Sequence, residues 1–343
     1  MIRRWLLPLL LAAFVWLLIA HRGEIRELLR TLASGNPRWV ALAVLLQAAC
    51  FVSWAGLYRR AFATAGVAGR LLDTLGTLMC AAFVNLVVPS AGAAGATLFV
   101  DDAARRGQSP ARAAAGIVLC WASDLAALTT TLVLGAGYLR GRQEIETARL
   151  AAMAGLALVT GGMSAALFFG VWHPRWLGGP LEAMRSGAAR LARRMKRESP
   201  LAPDWAAHVS GELAVVSGNL RSHPARVATL YGMALLMHAA NMASLGALFF
   251  AFRQPIQPGA LAAGYAFGQV AWTLSPVPQG IGVVEAVMAL VYATLGVPAT
   301  VATAIAISYR GLTFWLPMAV GFLLLRRTRS LRSPAWRPEG GPG

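Results

Sequence analysis

The chain has 343 residues, 57% of them hydrophobic and 13% charged, with a mean hydropathy of +0.58. A soluble domain carries about a quarter charged residues, so most of this surface is not built for water and lipid is the solvent that suits it. The net charge of +17 does not point to nucleic acid, because the basic residues stand between apolar runs and at both ends, where anionic headgroups and the positive-inside rule place them.

The first apolar run, Trp5–Ala20, follows Arg3 and Arg4. No small-x-small cleavage site precedes the charged stretch from His21, so the run reads as a signal-anchor helix. Arg22–Arg38 holds four arginines against two glutamates, with Ile25, Leu28, Leu29 and Leu32 at helical spacing. That pattern predicts a helix lying flat on the interface. Five further runs approach or exceed the roughly 20 residues that a span needs: Trp39–Tyr58, Ala113–Leu139, Leu150–Trp172, Val227–Phe252 and Thr300–Leu325. Cys50, Cys80 and Cys120 lie inside apolar runs without metal-ligand spacing and read as small buried hydrophobes.

Two other apolar stretches do not read as plain spans. Leu71–Val100 is interrupted by Asn85, Pro89, Gly92 and Gly95, and Gly259–Leu295 by Pro276, Pro278, Gly280 and Gly282. Proline removes a helical donor and glycine costs roughly 1 kcal/mol in a helix interior. Broken backbone at membrane depth survives only where protein or a wet cavity satisfies it. Both stretches are therefore expected to be hairpins that dip into the membrane and return. The basic segment 175–226, the tail after Leu325 and the N-terminus with Arg3 and Arg4 are all assigned to the cytoplasm by their arginines. Six spans close that topology if the first hairpin enters from the cytoplasm and the second from outside.

The two hairpins resemble each other. Pro89 and Pro278 are 189 residues apart, and so are Gly107 and Gly296; Pro110 and Pro298 then start long spans. Broken helices in matching positions with opposite orientation are the sequence signature of secondary transporters, with the substrate site near the repeat interface.

Few ionisable residues lie deep in the apolar runs: Asp73, Asp124, His238, Glu285 and Arg310. A charge at a helix centre costs about 2.5–3.5 kcal/mol on insertion scales, so such residues face protein or water. Asp124 and Arg310 are each near mid-span and 186 residues apart, close to the repeat offset. Two readings stand: a buried ion pair that fixes packing, or an Arg310 whose planar fork holds a phosphate or carboxylate headgroup. Glu285, in Gly280-Ile281-Gly282-Val283-Val284-Glu285, falls in the first turn of the second hairpin's returning half. Either the positive helix end simply stabilises it, or it carries a proton or ion. The free helix N-terminus there also suits an anion.

Asp101-Asp102-Ala103-Ala104-Arg105-Arg106 superficially resembles a metal motif, but its acids and arginines are spaced i,i+4 for ion pairs, and no second acidic motif accompanies them. His21, His173, His208, His223 and His238 show no ligand spacing, and neither a P-loop nor a Gly-x-Ser-x-Gly nucleophile motif occurs. No metal, cofactor or enzymatic activity is expected.

Pro278-Gln279-Gly280-Ile281-Gly282-Val283-Val284-Glu285, Leu295-Gly296-Val297-Pro298 and Tyr309-Arg310-Gly311-Leu312-Thr313-Phe314-Trp315-Leu316-Pro317 together resemble the flippase-like family that includes the transmembrane region of lysylphosphatidylglycerol synthases. Asn85-Leu86-Val87-Val88-Pro89, with Gly92, Gly95, Arg105, Gly107 and Asp124, is similar to that family's first motif. The resemblance covers nearly the whole chain and is strongest over 80–135 and 260–325. It implies a lipid-translocating domain whose path is lined by Arg310, Glu285, Asp124, Asn85 and Tyr309. The sequence departs from the family's pattern at Ala96, where relatives carry an acid, and at Trp121, where an arginine is common. Both departures bear on headgroup preference. The aminoacyl-transfer domain of the full synthases is not expected here.

The sequence thus predicts an all-α polytopic membrane protein: about six transmembrane helices plus two re-entrant hairpins forming an inverted repeat. It comprises one domain over 1–325, with repeat halves near 71–139 and 259–325, and a disordered basic tail over 326–343. It is expected in the bacterial inner membrane with both termini cytoplasmic, moving a lipid with an anionic or phosphate-bearing headgroup between leaflets. A homo-oligomer or a lipid-synthase partner is compatible with it. The competing readings are a non-transporting scaffold of a lipid or envelope synthase, and a membrane-embedded lipid-modifying enzyme.

Overall fold

A chain this apolar must satisfy its backbone internally, and helices do so within one segment. The computed structural model describes residues 23, 30–87, 92–141, 147–194, 204–275 and 277–325, and every regular element among them is helical. In chain order these are α1 (Pro37–Thr64), α2 (Leu71–Val87), α3 (Ala93–Arg105), α4 (Pro110–Gly141), α5 (Thr147–Trp172), α6 (Gly178–Arg194), α7 (Trp205–Ser222), α8 (Pro224–Ala251), α9 (Pro258–Leu274), α10 (Val283–Thr294), α11 (Ala299–Arg310) and α12 (Leu316–Leu325). Helices α1, α4, α8 and α9 each open on a proline, whose fixed φ and missing N–H cost nothing at the first helical position.

Five helical stretches are long and apolar enough to cross a membrane: Pro37–Thr64, Pro110–Gly141, Leu150–Trp172, Pro224–Ala251 and Ala299–Leu324. They coincide with five of the six expected spans; the sixth, Trp5–Ala20, lies outside the described residues. The chain is a polytopic membrane protein. Its outward residues agree, with Leu158 78% and Leu134 67% exposed, as a lipid-facing surface requires. Of the expected interfacial helix over Arg22–Arg38, residues 30–34 are described as helix, and Leu32 packs on the core. The tail 326–343 lies outside the described residues. The three cysteines are buried and free.

The chain divides into two compact units. One comprises residues 50–74 and 109–239. In it α4 and α5 run antiparallel: Thr129 Oγ1 lies 2.8 Å from Thr160 Oγ1, and Ser164 Oγ donates to the Ala122 carbonyl at 2.8 Å. Helix α7 caps the ends of both, because Arg112 pairs with Glu212 while Ser217 Oγ and Arg221 Nη2 each donate to the Trp172 carbonyl at 2.7 Å. The start of α4 and the end of α5 therefore lie on the face of this unit that α7 covers, as two successive spans dictate.

The other unit comprises residues 1–49, 75–108 and 240–343. There the first part of α1 and the last part of α8 pair antiparallel, with Asn36 N donating to Ala251 O at 2.9 Å and Ser244 Oγ to Ala43 O at 2.8 Å. Their apolar faces join α9, α10 and α11 in one core through Phe249, Tyr265, Met288, Tyr292 and Ile305. A second core joins α2 to the last span through Cys80, Phe83, Phe314 and Met318. Helices α2 and α12 meet backbone to backbone, since a Cβ on Gly321 would collide with the Met79 carbonyl.

Both interrupted stretches are broken helices. The first breaks between α2 and α3, where Gly92 takes φ 89°; Pro89 lies outside the described residues. The second leaves α9 through an extended Ser275, makes a short 3₁₀ turn at Pro278–Gly280, and enters α10 at Gly282, φ 76°. Pro276 lies outside the described residues. The 189-residue offset reappears in the backbone where each hairpin ends. Gly107 N donates to Ala104 O and Gln108 N to Ala103 O; Gly296 N donates to Ala293 O and Val297 N to Tyr292 O. Each turn is a Schellman motif with glycine at positive φ, 70° and 89°.

Candidate functional site

The stretch from residue 254 to residue 325 contains two charged residues, Glu285 and Arg310. The fold brings them together. Arg310 ends α11, twelve residues into the span Ala299–Leu324. It is 5% exposed. Its Nε donates to Glu285 Oε1 at 2.9 Å, and its Nη2 donates to the Gln279 carbonyl at 2.8 Å. The guanidinium carbon sits 4.8 Å from the centre of the Phe314 ring, a cation–π contact. Nη1 makes no hydrogen bond among the described residues.

Local sequence explains how Arg310 is presented. Residues Gly311–Trp315 form a π turn, in which Leu316 N reaches back to Gly311 O. Pro317 cannot donate to the turn before it and its ring crowds that turn's carbonyl, so the helix widens directly after Arg310. Wide turns of this kind are frequent at functional sites. The widening sets Phe314 beside the guanidinium.

Glu285 occupies the first turn of α10, as the sequence predicted. It uses one oxygen on Arg310, while Oε2 is buried without a hydrogen-bond partner among the described residues. The backbone before it is strained: Gln279 holds φ 54° and Gly280 φ 65°. A glutamine at positive φ is uncommon and is held by its surroundings. Here the Trp272 Nε1 donates to Gln279 Oε1 at 3.0 Å, and the carbonyl of the same residue receives Arg310. The amides of Val283, Val284 and Glu285 precede the first intrahelical bond, Ala286 N to Gly282 O, so the positive end of α10 adjoins the ion pair.

Tyr309 is also buried and belongs to a neutral network. Its hydroxyl donates to Asn241 Oδ1 at 2.9 Å, Asn241 Nδ2 approaches the Tyr265 hydroxyl at 3.4 Å, and Gln269 Nε2 donates to that hydroxyl at 3.0 Å. The antiparallel register of α1 and α8 sets Gln47 level with Asn241, and Gln47 Oε1 and Ser308 Oγ are buried with no hydrogen-bond partner among the described residues.

The remaining candidates make other contacts. Asn85 Oδ1 accepts the amide of Gly95, in the first turn of α3, at 2.6 Å. Gly95 has no room for a side chain, because a Cβ would strike the Asn85 amide. Asp124, at mid-span in α4, pairs with His238 of α8, Oδ1 to Nε2 at 3.0 Å. Asp124 and Arg310 thus each find a partner within their own unit. Asp101 and Asp102 pair with Arg105 and Arg106 at 2.9 and 2.8 Å, in the i,i+4 arrangement expected from their spacing. Trp121 Nε1 donates to the Tyr58 hydroxyl at 3.1 Å.

Sequence reasoning weighed ionisable residues and passed over Asn241, Gln269, Tyr265 and Trp272. Single amides inside apolar runs were the available signal, since a buried amide demands partners.

The fold and this geometry define a class: a polytopic helical membrane protein with a buried arginine–carboxylate pair at the mouth of a broken helix. Residues 5–321 match the family described as the lysylphosphatidylglycerol synthase TM region, and the chain belongs to that family. No curated protein matches it. The family gives the chain a membrane-lipid association.

Proposed function

We propose that this protein is a lipid transporter that moves an amphipathic lipid, or a lipid-linked headgroup, bearing a phosphate between leaflets, and that it performs no covalent chemistry. The observation that carries the reading is Arg310: a buried guanidinium at mid-span, beside the positive end of α10. A planar fork and a helix N-terminus are the two devices that bind phosphate best. Buried polar atoms without partners cost about 1–3 kcal/mol each, and Glu285 Oε2, Ser308 Oγ and Gln47 Oε1 in the same unit have none. A polar headgroup would satisfy such atoms.

Under this reading the two broken stretches are re-entrant hairpins of an inverted repeat in the bacterial inner membrane, with both termini cytoplasmic. Residues near Gly92 then react with an impermeant thiol reagent, as single cysteines, from the cytoplasm, and residues near Gln279 from outside; labelling of both from one side would sink the topology. The functional test is leaflet exchange of labelled lipids in proteoliposomes, across anionic, zwitterionic and isoprenyl-phosphate headgroups. Selective exchange by the wild-type protein, lost in Arg310→Ala, is the expected result. Equal exchange by Arg310→Ala would remove Arg310 from the path.

A further inference from the structure

Resting on the reading of Arg310 as the phosphate anchor, we infer that Glu285 is a proton carrier that yields Arg310 to the lipid phosphate, so that one proton accompanies each headgroup through the site.

Charge bookkeeping leads there. In the empty site Glu285 and Arg310 neutralise each other. An anionic phosphate that takes the guanidinium would leave Glu285 as an unpaired carboxylate next to a second anion. Uncompensated charge at membrane depth is costly, and a neighbouring like charge favours the neutral acid. Uptake of a proton by the carboxylate restores a neutral site: guanidinium with phosphate, beside an uncharged carboxyl. The site then carries no net charge empty or loaded, and lipid anion and proton cross together without moving charge across the membrane. The step is balanced, with Glu285 carboxylate and a proton from the aqueous side giving the acid, and the reverse on the other side.

The geometry suits this exchange. Glu285 holds Arg310 through one oxygen only, so a single bond must be given up. Its other oxygen is buried and unpartnered, open to a proton. Arg310 keeps its bond to the Gln279 carbonyl and its place beside Phe314 meanwhile. Little else competes for the proton. The titratable groups on the elements packed around Glu285 are Tyr265 of α9, Tyr292 of α10 and Tyr309 of α11, with Cys80 of α2 in the adjoining core and Asp73 in the first turn of α2. The charged residues of α3 pair among themselves at its far end, and Arg38 stands at the start of α1. Tyr265, Tyr292 and Tyr309 make hydrogen bonds of their own.

The test uses the full chain in proteoliposomes with a fluorescently labelled phosphatidylglycerol and an internal pH dye. With a pH difference of one unit imposed, the wild-type protein should accumulate the labelled lipid in the more alkaline leaflet by up to about tenfold, the ratio that one coupled proton supports, and the dye should report proton entry with it. Whatever exchange Glu285→Gln retains should ignore the gradient. Lipid exchange by the wild type that is indifferent to the gradient overturns proton coupling while leaving the transport reading intact. Gradient-driven accumulation that persists in Glu285→Gln moves the carrier elsewhere. Absence of any exchange by the wild type overturns both readings. The wild-type gradient experiment stands even if Glu285→Gln does not fold.

Discussion

The two broken stretches end in the same turn and differ in the helix that follows each break. Glycine precedes the helix after each break, Gly92 before α3 and Gly282 before α10, and a Schellman turn follows both helices, at Gly107 and Gly296. Counting from those glycines, Gly95 and Glu285 fall at the same third position of their helices. In the first hairpin that position has no side chain, and its amide is taken by Asn85. In the second it carries a carboxylate half-committed to Arg310. Asn85 and the Gly95 amide thus satisfy each other, whereas Glu285 Oε2 has no hydrogen-bond partner among the described residues. The same architecture thus serves as a strut in one place and as a candidate site in the other.

The sharpest way to break this comparison is Arg310→Ala. It leaves the half-buried Glu285 without its partner, a loss of up to about 3–5 kcal/mol, the range for a broken buried pair, so unfolding in detergent should occur below the wild-type temperature and exchange should vanish. Arg310→Lys keeps the charge without the fork and should recover stability more than transport. In the first hairpin, Asn85→Ala orphans the Gly95 amide at a cost of about 1–3 kcal/mol. Its melting temperature should fall, while headgroup selectivity stays that of the wild type; altered selectivity would contradict the strut assignment. Smaller effects are expected from Gly107→Ala and Gly296→Ala. A left-handed backbone costs an L residue about 1–2 kcal/mol, so the two variants should lose similar stability, and a large inequality would argue against equivalent turns.

Arg112–Glu212 supplies a control outside both hairpins. Burial raises the Glu212 carboxyl, but hydrogen bonds from Ser109 and Arg112 and the charges of Arg112 and His208 outweigh it and hold the group below its ordinary value. A depressed carboxyl contributes stability above its unfolded pKa and loses it as pH falls through the folded one. Acid should therefore loosen α7 from α4 slightly, seen as increased amide exchange in α7, and Glu212→Gln should flatten that response.

Much of the fold was legible because its causes are local. Apolar length marked five spans, clustered Gly and Pro marked both breaks, and Gly107 and Gly296 marked their turns. The first-turn position of Glu285 followed from Gly280 and Gly282 in the same way. Partnership was less legible, because it depends on packing between distant segments. The 186-residue spacing suggested Asp124 as a counterpart for Arg310, yet Asp124 pairs with His238 from α8, a helix outside both stretches expected to form the repeat. The role of Asn85 could not be read without knowing how closely α3 returns beside α2. The π turn after Arg310 follows from Pro317, whose effect falls on the turn before it rather than on its own position.

The central claim is that the second break, through Arg310 and Glu285, is the working site and the first is its structural counterpart. The most direct measurement is the rate of anionic-lipid exchange in proteoliposomes for the wild type, Arg310→Lys and Asn85→Ala, each normalised to folded protein. The account predicts exchange in the wild type and in Asn85→Ala, with near loss in Arg310→Lys. Loss in Asn85→Ala with retention in Arg310→Lys would contradict it.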